Sequence, residues 1–188
     1  MAVAKPSEKD LEYIKRIEAM SWKDLRALWE FIKAGQTPDW EGGKAFEHLV
    51  IRAFRLNGLE AEYPYDVPPG GKPIEQIDGL VHLQCYAFLI ECKDKDVVDV
   101  EAITKLRDQL LRRPATTMGC VFTTGNFTAP ALTKADMSVP HRVLLWSERD
   151  VEECLKNENF AAVLLEKYRT LCKYGLIDHS PNYKGLEV

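Results

Sequence analysis

Along the first 35 residues, apolar side chains recur three and four apart: Leu11, Ile14 and Ile17, then Leu25, Leu28, Trp29 and Ile32. That spacing lines one face of a helix. Ser7 and Ser21 stand where N-caps belong, Asp24 follows the second by three residues, and Gly35 stops the pattern. After the linker "QTPDWEGG", the stretch "GGKAFEHLVIRAFRLNG" predicts another helix, with Phe46, Leu49, Val50, Ala53, Phe54 and Leu56 inside and Gly58 as its stop. A short strand is expected near Leu59 to Tyr65, and "DVPPGGKP" reads as a loop. The pattern then changes to two strand-like runs, "IEQIDGLVHL" and "YAFLIECK".

Further on, "DVEAITKLRDQLLRR" returns to helical spacing through Val100, Ile103, Leu106 and Leu110, and Pro114 ends it. "TTMGCVFTT" reads as a buried strand, "TAPALTKAD" as a short helix and "HRVLLWS" as another strand. Ser147 is placed to cap the next helix, and Phe160 to Tyr174 form the last. Strand-helix-strand alternation in the second half implies parallel crossovers, while the earlier strands meander as hairpins. The fold expected is α/β, a mixed β-sheet flanked by helices, with an N-terminal helical extension over residues 1–40, a main domain over 41–175 and a loose tail over 176–188.

Composition adds little to this picture. The chain has 188 residues, 46% of them apolar and 29% charged, ordinary values for a globular domain. No apolar run reaches the roughly 20 residues of a membrane span. The opening "MAVAKPSEKD" lacks the apolar core of a signal peptide, so a cytoplasmic location is expected. Cys85, Cys92, Cys120, Cys154 and Cys172 contain no CxxC pair, which argues against a disulfide framework and a zinc site. The net charge of −4 supplies no basic footprint for a nucleic acid, although a local cluster could still track phosphates.

The charges within the strands change the picture more. Should the two runs form a hairpin with Gln84-Cys85 at its tip, Asp78 falls opposite Glu91. Alternation then puts Glu91 and Lys93 on one face and turns Cys92 to the other. Two neighbouring carboxylates repel unless a cation lies between them, and all-oxygen ligation suits Mg²⁺ or Mn²⁺. A lysine beside them can orient or deprotonate a water and steady charge on a phosphate. Spacing alone leaves a plainer reading open: Asp78-Gly79 as a turn and "ECKDKD" as a solvated strand exit.

Together these residues resemble the PD-(D/E)xK nuclease superfamily, in particular its Mrr-type restriction endonuclease-like branch. "GGKAFEHLVIRAFRLNG" is similar to the family's opening helix, "FLIECK" to its Glu-x-Lys strand and "VFTTGNFTAPA" to a later strand and turn. The similarity runs from about Gly42 to Trp146. It implies a restriction-endonuclease-like fold and a Mg²⁺-dependent endonuclease acting on DNA, with Mn²⁺ able to substitute. Asp78, Glu91 and the Cys92 carbonyl would be metal ligands, Lys93 the catalytic lysine, and Glu47 and Gln109 further catalytic positions. The chain departs from the branch in having "GGKPIEQID" where an acidic-Gly-x-Asp run is common, so either Glu75 stands in or the loop binds differently.

For DNA contact, Lys105, Arg107, Arg112 and Arg113 lie on the helix after the site, and Asn126 and Thr128 on the following turn. A solvated helix end explains the arginines equally well. His48 is expected at or near the surface, and His82 and His141 sit in strands without ligand spacing. Cys92 is expected in the core rather than as a nucleophile, and "VPPGGKP" lacks the spacing of a nucleotide-binding loop but suits a flap over DNA. The competing function is a non-catalytic nuclease fold that binds DNA or a protein. The N-terminal helices, with Trp22, Trp29 and Trp40, offer a surface for a homodimer or a partner.

Overall fold

The computed structural model describes residues 7–67, 75–140 and 142–186. Most of the "VPPGGKP" loop and His141 therefore lie outside the described residues. The chain opens with α1 (Glu8–Glu18) and α2 (Trp22–Lys33). Ser7 caps the first, and Asp10 reciprocates by accepting from the Ser7 backbone N–H at 3.0 Å. Asp24 does the same for Ser21 at 2.9 Å. Helix α3 (Lys44–Leu56) follows, then the short strands β1 (Glu60–Glu62) and β2 (Tyr65–Val67).

The run expected as one strand, "IEQIDGLVHL", is divided into β3 (Glu75–Ile77) and β4 (Gly79–Leu83), with Asp78 at the break. β3 pairs with β2 in a ribbon of its own, whereas β4 enters the main sheet. The reason is Gly79. A Cβ there would sit 2.2 Å from the Ile51 side chain and 3.2 Å from the Glu62 carbonyl oxygen. Only a residue without a side chain lets the strand press this closely against α3.

β4 pairs antiparallel with β5 (Tyr86–Lys93), from Gly79 opposite Ile90 to Leu83 opposite Tyr86. The two-residue tip is Gln84-Cys85, as the sequence suggested, with Gln84 in the left-handed region at φ 55. After β6 (Val97–Val98), helix α4 (Val100–Leu110) crosses to β7 (Thr117–Thr123), which lies parallel to β5. Next come β8 (Asn126–Phe127), α5 (Ala129–Asp136) and β9 (Val143–Trp146), with β9 parallel to β7. The main sheet thus has the order β1-β4-β5-β7-β9, mixed as expected. β6 and β8 form a small parallel ribbon that the pattern did not foretell.

Helices α6 (Glu148–Asn157) and α7 (Phe160–Tyr174) complete the chain. α4 and α5 pack together on one face of the sheet, and α3, α6 and α7 cover the other. The second face holds an aromatic cluster in which Phe54 of α3 lies 6.1 Å from Phe122 and 6.2 Å from Trp146, ring centre to ring centre. Opposite it, Gly119 makes room for Leu106 of α4, whose side chain would lie 2.6 Å from a Cβ. α1 and α2 join the same core: Ile17, Leu25, Trp29 and Ile32 are buried, and Trp29 meets Phe46 at 5.7 Å.

The tail departs from expectation. Ile177 and Tyr183 are buried, and the Leu145 N–H donates to the Ile177 carbonyl at 2.9 Å. The anchor is Lys167, fully buried, whose ammonium donates to the Leu145 and His179 carbonyls at 2.9 and 2.7 Å and faces Asp150 at 3.1 Å. Asp150 also accepts from the Tyr183 hydroxyl. A buried charge demands partners, and this one draws them from the tail. Nothing in the tail's composition announced that.

Candidate active site

Register decides which side chains meet. Glu91 lies beside Val121 and Lys93 beside Thr123, on the face where Gly119 meets α4. Cys92 lies beside Phe122, on the face toward α3. Glu91 is fully buried at the end of an eight-residue strand, and Lys93 ends that strand with its ammonium on the Glu91 carboxylate. Asp78, just outside β4, continues the hairpin register to a place opposite Glu91. Its Oδ2 accepts the Cys92 backbone N–H at 2.8 Å.

The third carboxylate comes from α3. Glu47 and Ile51 are one helical turn apart and share a face, so the contact of Gly79 with Ile51 also brings Asp78 toward Glu47. Glu47 is 9% exposed and accepts from Lys44 at 2.7 Å. Burial, then the charges of Glu91 and Glu47, push the Asp78 carboxyl up to about 7. Burial by itself would lower the Lys93 ammonium, but Glu91 and Asp78 outweigh it and hold Lys93 above its ordinary value. The Lys44 ammonium rises in the same way, through Glu47 and then Asp78.

Asp78, Glu91, Lys93 and Glu47 are thus brought together. Two members of the cluster were missed. Lys44 was legible as the residue three before Glu47. Lys105 donates to both Glu91 oxygens at 2.9 and 2.7 Å; it had been grouped with the basic residues of α4, and only the crossover of α4 over β5 places it here.

The remaining expected residues have other occupations. Gln109 is buried and donates to the Gln76 carbonyl at 3.0 Å, tying α4 to β3 just before Asp78. Arg112 and Arg113, expected at DNA, both pair with the buried carboxylate of Glu75, Arg113 at 2.8 Å. The reason is that one seam of α4 and its end, through Lys105, Gln109 and Arg112-Arg113, runs along β5 and β3. Glu75, considered as a stand-in for the family's acidic run, is thus held by the end of α4. Thr128 caps α5 and donates to Asp99 at 2.9 Å, which occupies its hydroxyl. Asn126 is exposed on β8, with its backbone N–H on the Asp96 carbonyl at 2.9 Å.

His48, expected near the surface, is buried instead. It stacks on Tyr63 at 5.4 Å and meets Trp40 and Tyr13 at 5.5 and 5.7 Å. Its Nδ1 lies 2.8 Å from the Lys44 carbonyl. Burial lowers its pKa to about 4. His82 is half-buried on β4. Burial lifts the Cys92 thiol far above its ordinary value, which leaves no thiolate for nucleophilic chemistry.

Among the described residues, no three His, Cys, Asp or Glu side chains stand as a ready-made metal group. The carboxylates face ammonium groups and a backbone N–H instead. The donor chemistry nevertheless fits a hard dication: three buried or nearly buried carboxylates converge, and one of them, Asp78, is pushed toward its neutral form first by burial and then by the other two.

Residues 40–155 match the Mrr_cat family, described as restriction endonuclease. No curated protein matches the sequence. Among solved structures, a protein of unknown function, AF1548, is 20% identical over 66% of this chain and 76% of its own, with a TM-score of 0.48. The DNA modification-dependent restriction endonuclease AspBHI is 14% identical, covering 90% of this chain and 44% of its own at TM-score 0.39. MspJI restriction endonuclease, in complex with a 27-mer oligonucleotide, is 16% identical, covering 99% and 42% at TM-score 0.40. The chain therefore spans less than half the length of either restriction enzyme. Among the described residues, no helix is long and apolar enough to cross a membrane.

Proposed function

This chain belongs to the restriction endonuclease family, and we propose that it is a Mg²⁺-dependent endonuclease that hydrolyses phosphodiester bonds of DNA. One observation carries the reading. Asp78 and Glu91, both buried, converge at the open end of the β4-β5 hairpin with Lys93 paired to Glu91. Burying like charges together is costly, and such arrangements concentrate at functional sites.

Asp78, Glu91 and the Cys92 carbonyl would hold the ion, with Glu47 close enough to take a bound water. When bound, Mg²⁺ supplies positive charge to the phosphate and makes water a stronger nucleophile, and Mn²⁺ can do the same. Lys93 has the protein's part in the reaction. Its ammonium, steered by Glu91, can hold the attacking water in line and offset the charge that grows on the phosphate. Cys92 contributes backbone only, its thiol being turned into the core.

The test is cleavage of supercoiled plasmid with Mg²⁺ or Mn²⁺ by wild type, Lys93→Ala and Asp78→Ala, alongside a calorimetric metal titration. Cleavage by wild type alone, with metal binding lost in Asp78→Ala, supports the reading. Equal cleavage by all three proteins defeats it. Absent cleavage and absent metal uptake in wild type would point to a binding module instead.

A further inference from the structure

Lys105 has a position that the proposed chemistry does not call for. Glu91 already has one ammonium partner, Lys93, and a single close cation suffices to pair one buried carboxylate. Lys105 is a second, and it is the more open of the two: its side chain is 41% exposed against 29% for Lys93. An ammonium has three donors. Lys105 directs two hydrogen bonds at Glu91 and keeps a third donor for what lies beyond.

Beyond it lies a groove of about 400 Å³, walled by Lys93, Lys95 and Lys105 over a floor that includes Val98 and Ala102. Three ammonium groups line this groove against two carboxylates, Asp99 and Glu101. Of the acidic residues lining the groove, Asp99 is already engaged. It accepts from the Val100 N–H at the start of α4 and from Thr128, and those bonds hold its carboxyl below the usual range. Its Oδ1 is therefore committed to the helix end.

We propose that Lys105 is a second phosphate-binding residue of this site, bracketing a DNA backbone phosphate with Lys93 across the groove. The inference rests on the nuclease reading above. Because the contact is to phosphate, it adds affinity without base preference.

The experiment is binding of a short labelled DNA duplex in EDTA over a salt series, for wild type, Lys105→Gln and Lys105→Arg. Lys105→Gln should weaken binding to every sequence alike and lower the slope of log K against log salt by about 1, whereas Lys105→Arg should keep that slope. In cleavage assays Lys105→Gln should raise KM more than it lowers kcat. An unchanged salt slope with reduced kcat would make Lys105 a support for Glu91 only and overturn the inference while leaving the nuclease reading intact. A wild-type protein that neither binds nor cuts duplex in any salt overturns both. Should Lys105→Gln fail to fold, Glu91→Gln/Lys105→Gln is compared with Glu91→Gln. Neither protein of that pair has a Glu91 carboxylate for Lys105 to support, and the same loss of slope is expected.

Discussion

Asp78→Asn should make the metal-free protein more stable while abolishing cleavage. In the wild type, burial together with Glu91 and Glu47 raises the Asp78 carboxyl from 3.8 to about 7. The folded state therefore holds this proton more tightly than the unfolded chain does. Stability associated with it is complete below the unfolded value and is lost as pH rises through about 7. Ionisation of this carboxyl then costs the fold about 4 kcal/mol at pH 8, and less than about 2 kcal/mol at pH 5. Asparagine avoids the cost, and its amide oxygen can still accept the Cys92 N–H. Thermal melts in EDTA should show Asp78→Asn above wild type by roughly 8–16 °C at pH 8, at about 2–4 °C per kcal/mol for a chain of this size. The gap should narrow sharply at pH 5. Mg²⁺ should then raise the wild-type midpoint and leave the variant's unmoved. A variant that melts below wild type at pH 8, or a gap independent of pH, would refute the electrostatic argument.

Three other outcomes follow from the same structure. His48 is neutral in its aromatic surroundings, its pKa lowered to about 4 from 6.5 by burial, so stability is complete above 6.5 and falls as pH drops toward 4. Urea unfolding should show a loss on the order of 3 kcal/mol across that window, absent in His48→Gln; parallel pH profiles would count against it. Lys167→Met should cost about 3–5 kcal/mol, because Asp150 and two carbonyls lose a buried partner. Limited proteolysis should then cut within residues 176–186 first, and a tail that stays protected would contradict the anchor. Gln109→Ala frees the Gln76 carbonyl beside Asp78 and should weaken metal binding about 10-fold with little change in the fold, an effect usual for residues that orient ligands. Unaltered metal affinity would show that β3 holds Asp78 without this bond.

The mixed sheet was legible because each device in it is local. The Ser caps, the apolar spacings and the tip of the hairpin are read within a few residues, and once the tip is known the register of Asp78 against Glu91 follows. What was missed depends on contacts distant in sequence. The break between β3 and β4 depends on Ile51 pressing on Gly79. The burial of His48 depends on Tyr13, Trp40 and Tyr63 arriving from three segments. Arg112 and Arg113 looked like a solvated helix end because nothing near them in sequence revealed Glu75 as their partner.

Those distant contacts also explain how the fold tolerates its own site. Three carboxylates, Glu47, Asp78 and Glu91, approach one another where water is nearly excluded. Two of them are matched by lysines, Lys44 on Glu47 and the pair Lys93 and Lys105 on Glu91. Among the described residues, Asp78 accepts a backbone N–H from Cys92 but forms no direct ion pair. The destabilisation is thereby concentrated on the one of the three without a direct ion pair among the described residues, the group that a dication would relieve most. Gln109 and the arginine pair on Glu75 carry no chemistry themselves, yet they fix β3 against α4 and so fix where the unpaired carboxylate stands. On the proposed reading, an ion would be held at Asp78 first. The lysines on Glu91 remain the groups that an arriving phosphate would have to meet.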